Sequence, residues 1–189
     1  MNLFHGSLVR LAAANPETDP EIMARWQRDT EYMRLLDTDP ARPETAKEIK
    51  EWLEKDEGKD FRFMIHALAD DRLLGFVGLF RPSWNNGDTY VGIGIGDRDD
   101  WGKGYGTDAM KLALRYAFTE LNLHRVTLLV FEHNPRARRS YEKAGFVFEG
   151  RVRGDCHRDS QRLNTLWMGI LREEWEKQNS QLQSSNPQF

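Results

Sequence analysis

The densest chemical signal in the chain is Trp101-Gly102-Lys103-Gly104-Tyr105-Gly106-Thr107, between an apolar strand pattern and the clearest helical pattern. Three glycines in five residues let the backbone turn tightly and approach a ligand without Cβ obstruction. A helix beginning just behind them offers unpaired N–H groups and the positive end of its dipole, so the segment suits an anion such as a pyrophosphate. The Gly-x-x-x-x-Gly-Lys-Ser/Thr spacing of a P-loop is absent, and Gly102-x-Gly104-x-Gly106 lacks the last step of the dinucleotide fingerprint. A second signal is Asn134-Pro135-Arg136-Ala137-Arg138-Arg139-Ser140-Tyr141-Glu142-Lys143-Ala144-Gly145-Phe146. Asn134 as N-cap, Pro135 at N1 and Gly145 at C′ bracket a short helix, which carries Tyr141, four cations and Ser140.

These segments need a frame. Leu8–Ala12 reads as a short strand, followed by helices near Pro20–Arg28 and Pro43–Asp56. Phe61, Phe63, Ile65 and Ala67 alternate with less apolar neighbours, and Asp70-Asp71 turns the chain into a strand over Leu73–Phe80. Asn86-Gly87 marks a turn before a strand over Tyr90–Gly96. Ala109, Leu112, Ala113, Tyr116, Ala117 and Leu121 fall on one face of a helix over Thr107–Leu121. Val126–Phe131 is a continuous apolar run, the pattern of a strand buried on both sides. Strands over Phe146–Val152 and Leu163–Leu171 close a single domain spanning 1–175, and the Gln/Ser/Asn-rich residues 176–189 read as a disordered tail.

With this order in place, the loop resembles the acetyl-CoA pyrophosphate loop of the GNAT acetyltransferase superfamily, Arg/Gln-x-x-Gly-x-Gly/Ala. Gly104 and Gly106 match its glycines and Trp101 replaces its first residue. Trp at that position resembles the subgroup of ribosomal-protein N-terminal (RimJ/RimL-type) acetyltransferases. Asn134 to Phe146 is similar to the family's Asn…Ser-x-Tyr-Glu-x-x-Gly-Phe region. The resemblance implies an α/β (α+β) fold: a mixed, mostly antiparallel sheet flanked by helices and splayed between its fourth and fifth strands. It also implies acetyl-CoA as co-substrate and N-acetyl transfer to a primary amine by direct attack.

Residue roles follow from the same resemblance. Tyr141 is the expected general acid, protonating the coenzyme A thiolate; phenol and thiol pKa values of about 10 and 8.5 make geometry the requirement. Coenzyme-binding residues are Trp101, Gly102, Lys103, Gly104, Tyr105, Gly106 and Thr107 in the loop, with Asn134, Arg136, Ser140 and Tyr141 from the following helix. Ile95 and Gly96, ending the fourth strand, are expected to offer backbone groups to pantetheine like an added strand. Arg138, Arg139 and Lys143 join Arg136 as candidates for the coenzyme's 3′-phosphate. A strand-borne catalytic Glu would fall near Tyr90 or Leu129, and neither can serve. Glu31, Asp88, Asp97 and Glu132 remain as bases. An α-amino group, about 10–15% neutral at pH 7, needs a base less than a lysine-like amine does.

Bulk properties narrow the class. The 189 residues carry a net charge of −3, without the basic excess of a nucleic-acid binder. Through Asp60 there are 9 Lys+Arg against 14 Asp+Glu, a balance of −5 that suits a cationic acceptor. The single cysteine, Cys156, builds no disulfide framework, and His124, His133 and His157 lack metal-ligand spacing, so no metal is expected. No apolar run reaches bilayer length, which points to a cytoplasmic protein without a membrane partner. Three readings stay open: protein N-terminal acetylation, acetylation of a small amine (polyamine, aminoglycoside or amino acid), and a non-catalytic acetyl-CoA sensor. A homodimer is left open as well.

Overall fold

In a computed structural model, residues 2–55 and 60–184 are described. Seven strands form one sheet in the order β1-β2-β3-β4-β5-β7-β6. They are β1 (Val9–Ala12), β2 (Phe61–Ala67), β3 (Leu73–Ser83), β4 (Asp88–Ile95), β5 (Arg125–Phe131), β6 (Val147–Arg158) and β7 (Gln161–Leu171). Six helices accompany them: α1 (Asp19–Trp26), α2 (Thr30–Leu36), α3 (Ala46–Glu54), α4 (Tyr105–Thr119), α5 (Pro135–Ala144) and α6 (Arg172–Ser184). Every pairing is antiparallel except β4 with β5, where α4 supplies the crossover that parallel strands require. That parallel pairing stops after Asp88, Thr89 and Tyr90 meet Arg125, Val126 and Thr127. Beyond it the two strands part, as the splayed-sheet expectation requires.

Strand alternation sends successive side chains to two cores. Ile65 joins Val77, Leu79, Leu128, Met168 and the α4 face, whereas Met64 joins Met23 of α1, Ile49 of α3 and Leu73. Helix α3 starts at a capping box, with Glu48 N–H donating to Thr45 Oγ1 and the Glu48 carboxylate accepting from Thr45 N–H. The expected start at Pro43 therefore moves in by three residues, and the expected end, Asp56, lies outside the described residues. Helix α4 buries more than its predicted stripe. Met110, Leu114 and Phe118 are also fully buried; α5 packs along α4, and Trp175 of α6 covers Phe118.

Three elements depart from the sequence reading. Helix α2 appears in a stretch with no assigned element, capped by Asp29, whose carboxylate accepts from the N–H groups of Glu31 and Tyr32. Leu129, read as buried on both sides of its strand, is 45% exposed, although Thr127 and Phe131 on the same face of β5 are buried. Residues 176–184 of the expected tail are helical, and 185–189 lie outside the described residues. Tertiary anchors hold this polar helix: Trp175 packs on Phe118 with ring centroids 5.4 Å apart, and Arg172 donates to the Leu123 carbonyl at 2.6 and 3.0 Å.

Phe118 joins α4, α6 and the sheet with no solvent exposure. Phe118→Ala should destabilise the protein by about 3–5 kcal/mol, lowering Tm by about 2–4 °C per kcal/mol at this chain size. Thermal unfolding followed by circular dichroism checks this; a fall under about 3 °C would contradict close packing there.

Candidate functional site

The parting of β4 and β5 opens a cleft of about 290 Å³, floored by the start of α4 and walled by α2 on one side and α5 on the other. Gly104 is the N-cap of α4 and adopts φ +93°, a left-handed conformation that glycine adopts freely. No side chain caps this helix, so its first N–H groups point into the cleft unpaired and its dipole favours an anion there. Gly102, Tyr105, Gly106 and Thr107 line the same space, with the Thr107 and Ser140 hydroxyls bonded at 2.7 Å across the junction of α4 and α5.

Trp101 has a bracing position. Its indole N–H donates to the Ile95 carbonyl at 2.7 Å, and the Arg136 guanidinium lies 3.8 Å from its ring centroid. Strand end, loop and α5 are thereby joined through one side chain. The Gly96 N–H donates to the Leu74 carbonyl, so by ladder alternation Gly94 and Gly96 turn their peptide groups to β3 while Ile93 and Ile95 turn theirs to the gap. Ile95 therefore faces the cleft, with its carbonyl already holding Trp101.

On α5, Asn134 is buried and caps the helix by accepting the Ala137 N–H at 3.1 Å. Tyr141 is half-buried, its ring set edge-on to Phe146, and it lines the cleft. Burial pushes its phenol up to about 12, with nearby Arg136 opposing the shift. The group is thus a neutral proton donor throughout the physiological range. Arg136, Arg139 and Lys143 give the outer cleft a cationic rim.

Several expected members fall elsewhere. Gly96 lies outside the cleft: its amide is bound to β3, and a Cβ there would meet the Trp26 ring at 1.9 Å. Lys103 does not line the cleft; its ammonium lies 3.5 Å from Asp100. Arg138 pairs with Glu142 on the helix surface. Among the candidate bases, Glu31 pairs with Arg98, Asp97 caps the following turn, and Asp88 stands at the opposite end of β4. Glu132 is held by Arg151 and Asn164, which keep its carboxyl below the usual range. Many acidic side chains of the first 60 residues are paired, as in Lys50–Glu17, Arg42–Glu44, Arg42–Glu48 and Arg98–Asp29, but Lys50 and Arg42 belong to the same segment, so its excess of acidic residues stands.

Other residues in the cleft were not foreseen. Tyr32, Leu35 and Leu36 arrive on α2, and Ile93 and Gly94 come from the unpaired part of β4. Asp100, 4% exposed, accepts two bonds from Arg72 at 2.5 and 2.6 Å and fixes the base of the loop to the start of β3. The Asp29-Thr30-Glu31 cap signal could have revealed α2, whereas a pair 28 residues apart has no local pattern.

A model of the GNAT acetyltransferase domain matches residues 9–147. The chain belongs to the GNAT acetyltransferase family. Among family members, the Probable N-acetyltransferase YjcK of Bacillus subtilis is 39% identical over 121 residues, 64% of this chain and 62% of that one, so the match spans less than two-thirds of that relative. The prophage-derived N-acetyltransferase YokL of the same organism is 29% identical over 172 residues, 90% of this chain and 94% of that one. A solved spermidine N-acetyltransferase from Vibrio cholerae, in complex with CoA and spermine, matches with a TM-score of 0.79 at 25% identity, covering 89% of this chain and 98% of that one. The GNAT fold of this chain, with one parallel strand pair in a mixed sheet, agrees with that neighbour.

Hydrogen bonds from Arg72 hold the Asp100 carboxyl below its usual range, with Lys103 assisting. A depressed folded pKa adds stability above the unfolded value near 4 and loses it as pH falls through the folded one. Asp100→Asn should destabilise the protein at pH 7 by about 2–3 kcal/mol, at or below the low end for a buried pair because the Arg72 side chain is 43% exposed. The variant and wild-type stabilities should converge at acid pH. Urea unfolding at pH 7 and below pH 4 reads both terms; an undiminished difference in acid would overturn the assignment.

Proposed function

We propose that the protein transfers the acetyl group of acetyl-CoA to a primary amine on a cationic acceptor. The observation that carries this reading is the pairing of an uncapped helix N-terminus with a half-buried phenol in one cleft where the sheet parts. The pyrophosphate suits the Gly102–Thr107 turn, the 3′-phosphate suits the rim of Arg136, Arg139 and Lys143, and the amide-bearing pantetheine arm suits the free edge at Ile93.

In the proposed reaction the neutral amine attacks the thioester carbonyl, forming the C–N bond and a tetrahedral oxyanion. Collapse breaks the C–S bond; Tyr141 gives its proton to the departing sulfur, and the proton leaving nitrogen restores the phenol. The cleft that raises Tyr141 desolvates the thiolate too, so the gap between the two acids stays nearer its aqueous size than the phenol's shift alone suggests.

Two acceptor classes have support. A small aliphatic polyamine is favoured by the likeness to the spermidine enzyme over nearly the whole length of both chains. A protein N-terminal α-amino group is favoured by the engagement of Glu31, Asp97 and Glu132 in other contacts, because that amine sheds its proton without a strong base. The RimJ/RimL-type subgroup is supported by Trp101 and by a likeness to the Putative ribosomal N-acetyltransferase YdaF of Bacillus subtilis, 30% identical over 109 residues, 58% of this chain and 59% of that one. A thiol-release screen comparing spermidine with a short peptide bearing a free α-amino group separates the two. Acetyl-CoA binding without turnover of any amine would instead leave the sensor reading.

Gly104→Val should reduce acetyl-CoA affinity at least tenfold by calorimetry, since a branched residue fits neither φ +93° nor close phosphate approach. Unchanged affinity would remove the loop from the coenzyme site. Tyr141→Phe should lower single-turnover acetyl transfer by about 10²–10⁴ while changing acetyl-CoA affinity less than about tenfold. Because the phenol titrates near 12, neither enzyme should lose rate from its ionisation below about pH 10, and both should gain rate with pH as the amine loses its proton. A wild-type rate in Tyr141→Phe would rule out its role as the acid.

A further inference from the structure

The α2 wall of the cleft is apolar apart from one hydroxyl. Leu35 and Leu36 line it beside Tyr32, which is only 5% exposed. The Tyr32 N–H goes to the Asp29 carboxylate, but its hydroxyl has no hydrogen-bond partner among the described residues. A tyrosine buried to this degree ordinarily pairs its hydroxyl, so an unpaired one lining a cleft marks a place for a ligand atom.

Its location narrows the ligand. A Cβ on Gly94 would lie 3.0 Å from the Tyr32 oxygen and 3.0 Å from Leu36 Cδ1; the absence of one lets α2 close onto the bare backbone of β4. Gly94 belongs to the stretch beyond Tyr90 that β5 leaves unpaired, between the two residues whose peptide groups face the gap. Tyr141 lines the same cleft from the opposite wall. Two phenols thus border one space from two sides, and only Tyr141 is needed for the leaving thiol. Burial, with Asp37 adding to it, holds the Tyr32 phenol well above its usual range, so its oxygen stays neutral with lone pairs available. The Trp26 ring stands edge-on behind Tyr32 at 6.5 Å, and the two leucines that line the cleft suit the methylenes of an aliphatic amine better than an anionic or heavily hydrated group.

We propose that Tyr32 receives the acceptor, its phenolic oxygen accepting a hydrogen bond from the reacting nitrogen beside Gly94 and aiming the nitrogen lone pair at the thioester carbonyl. This role rests on the acetyl-transfer reading and assigns its acceptor side, which the helix-borne coenzyme residues leave open.

The test compares wild type with Tyr32→Phe, which keeps the ring against Trp26 and Leu36 and removes only the hydroxyl. Spermidine and the α-amino peptide serve as probe amines. The expected result is a fall of about ten- to a hundredfold in kcat/KM for the amine, as for a lost hydrogen bond to a charged or developing-charge group. Acetyl-CoA affinity by calorimetry should stay within twofold and Tm should be unchanged. If the wild type acetylates neither probe nor any amine in a broad screen, the acetyl-transfer reading falls and the Tyr32 role with it. If the wild type turns over and Tyr32→Phe matches it, the Tyr32 role alone falls. A loss of acetyl-CoA affinity as large as the kinetic loss would place the hydroxyl on the donor side and overturn the proposal.

Discussion

Parallel pairing between β4 and β5 lasts for three residues and then ends, and the site depends on that interruption. A continued ladder would occupy the peptide groups of Ile93 and Ile95 and leave no opening in the sheet. An unpaired strand edge inside a fold carries unsatisfied donors and acceptors, which must find partners or serve a ligand. Here one is met internally: the Ile95 carbonyl accepts the Trp101 indole. The remaining edge lies at Ile93, which lines the cleft.

Three short-range devices keep the opening in shape. Trp101 joins the end of β4 to the loop and, through Arg136, to α5. The Thr107–Ser140 bond joins α4 to α5 at the floor. Arg72 and Asp100 fix the loop to the start of β3. Apart from the Trp101–Ile95 bond, each crosses between elements that the chain does not connect directly, so the cleft is held by side chains rather than by ladder hydrogen bonds. This is consistent with a site that admits a peptide-like arm along a strand edge while keeping its walls in place.

Electrostatics divides the walls without a large net field. The α5 rim is cationic through Arg136, Arg139 and Lys143, whereas many acidic side chains of the first 60 residues are paired locally on the outer surface. Charge counting alone did not say where that acidic excess lies, and the α2 residues that line the cleft, Tyr32, Leu35 and Leu36, are not acidic. The contribution of α2 to the cleft is an apolar wall with a single hydroxyl.

Local chemistry made the glycine turn, the Asn134 cap, the Gly145 C′ residue and the α4 stripe legible, because each is written within one helical turn or one strand repeat. Those features were enough for the family, the glycine turn at the head of α4 and the phenol on α5. The facing of Ile95 and Gly96 was not legible, since it depends on which amides β3 takes, and that is a matter of register across strands. Nor was the approach of Tyr32 to Gly94, or of Trp175 to Phe118, in which residues about 60 apart meet only after the layers have packed. By itself the sequence determined most of the elements, α2 and the end of α6 excepted, and the family of chemistry, through propensities and spacings that act within a few residues. Tertiary structure decided which groups face the cleft, because burial and hydrogen-bond satisfaction are settled only when distant elements compete for the same backbone and the same space.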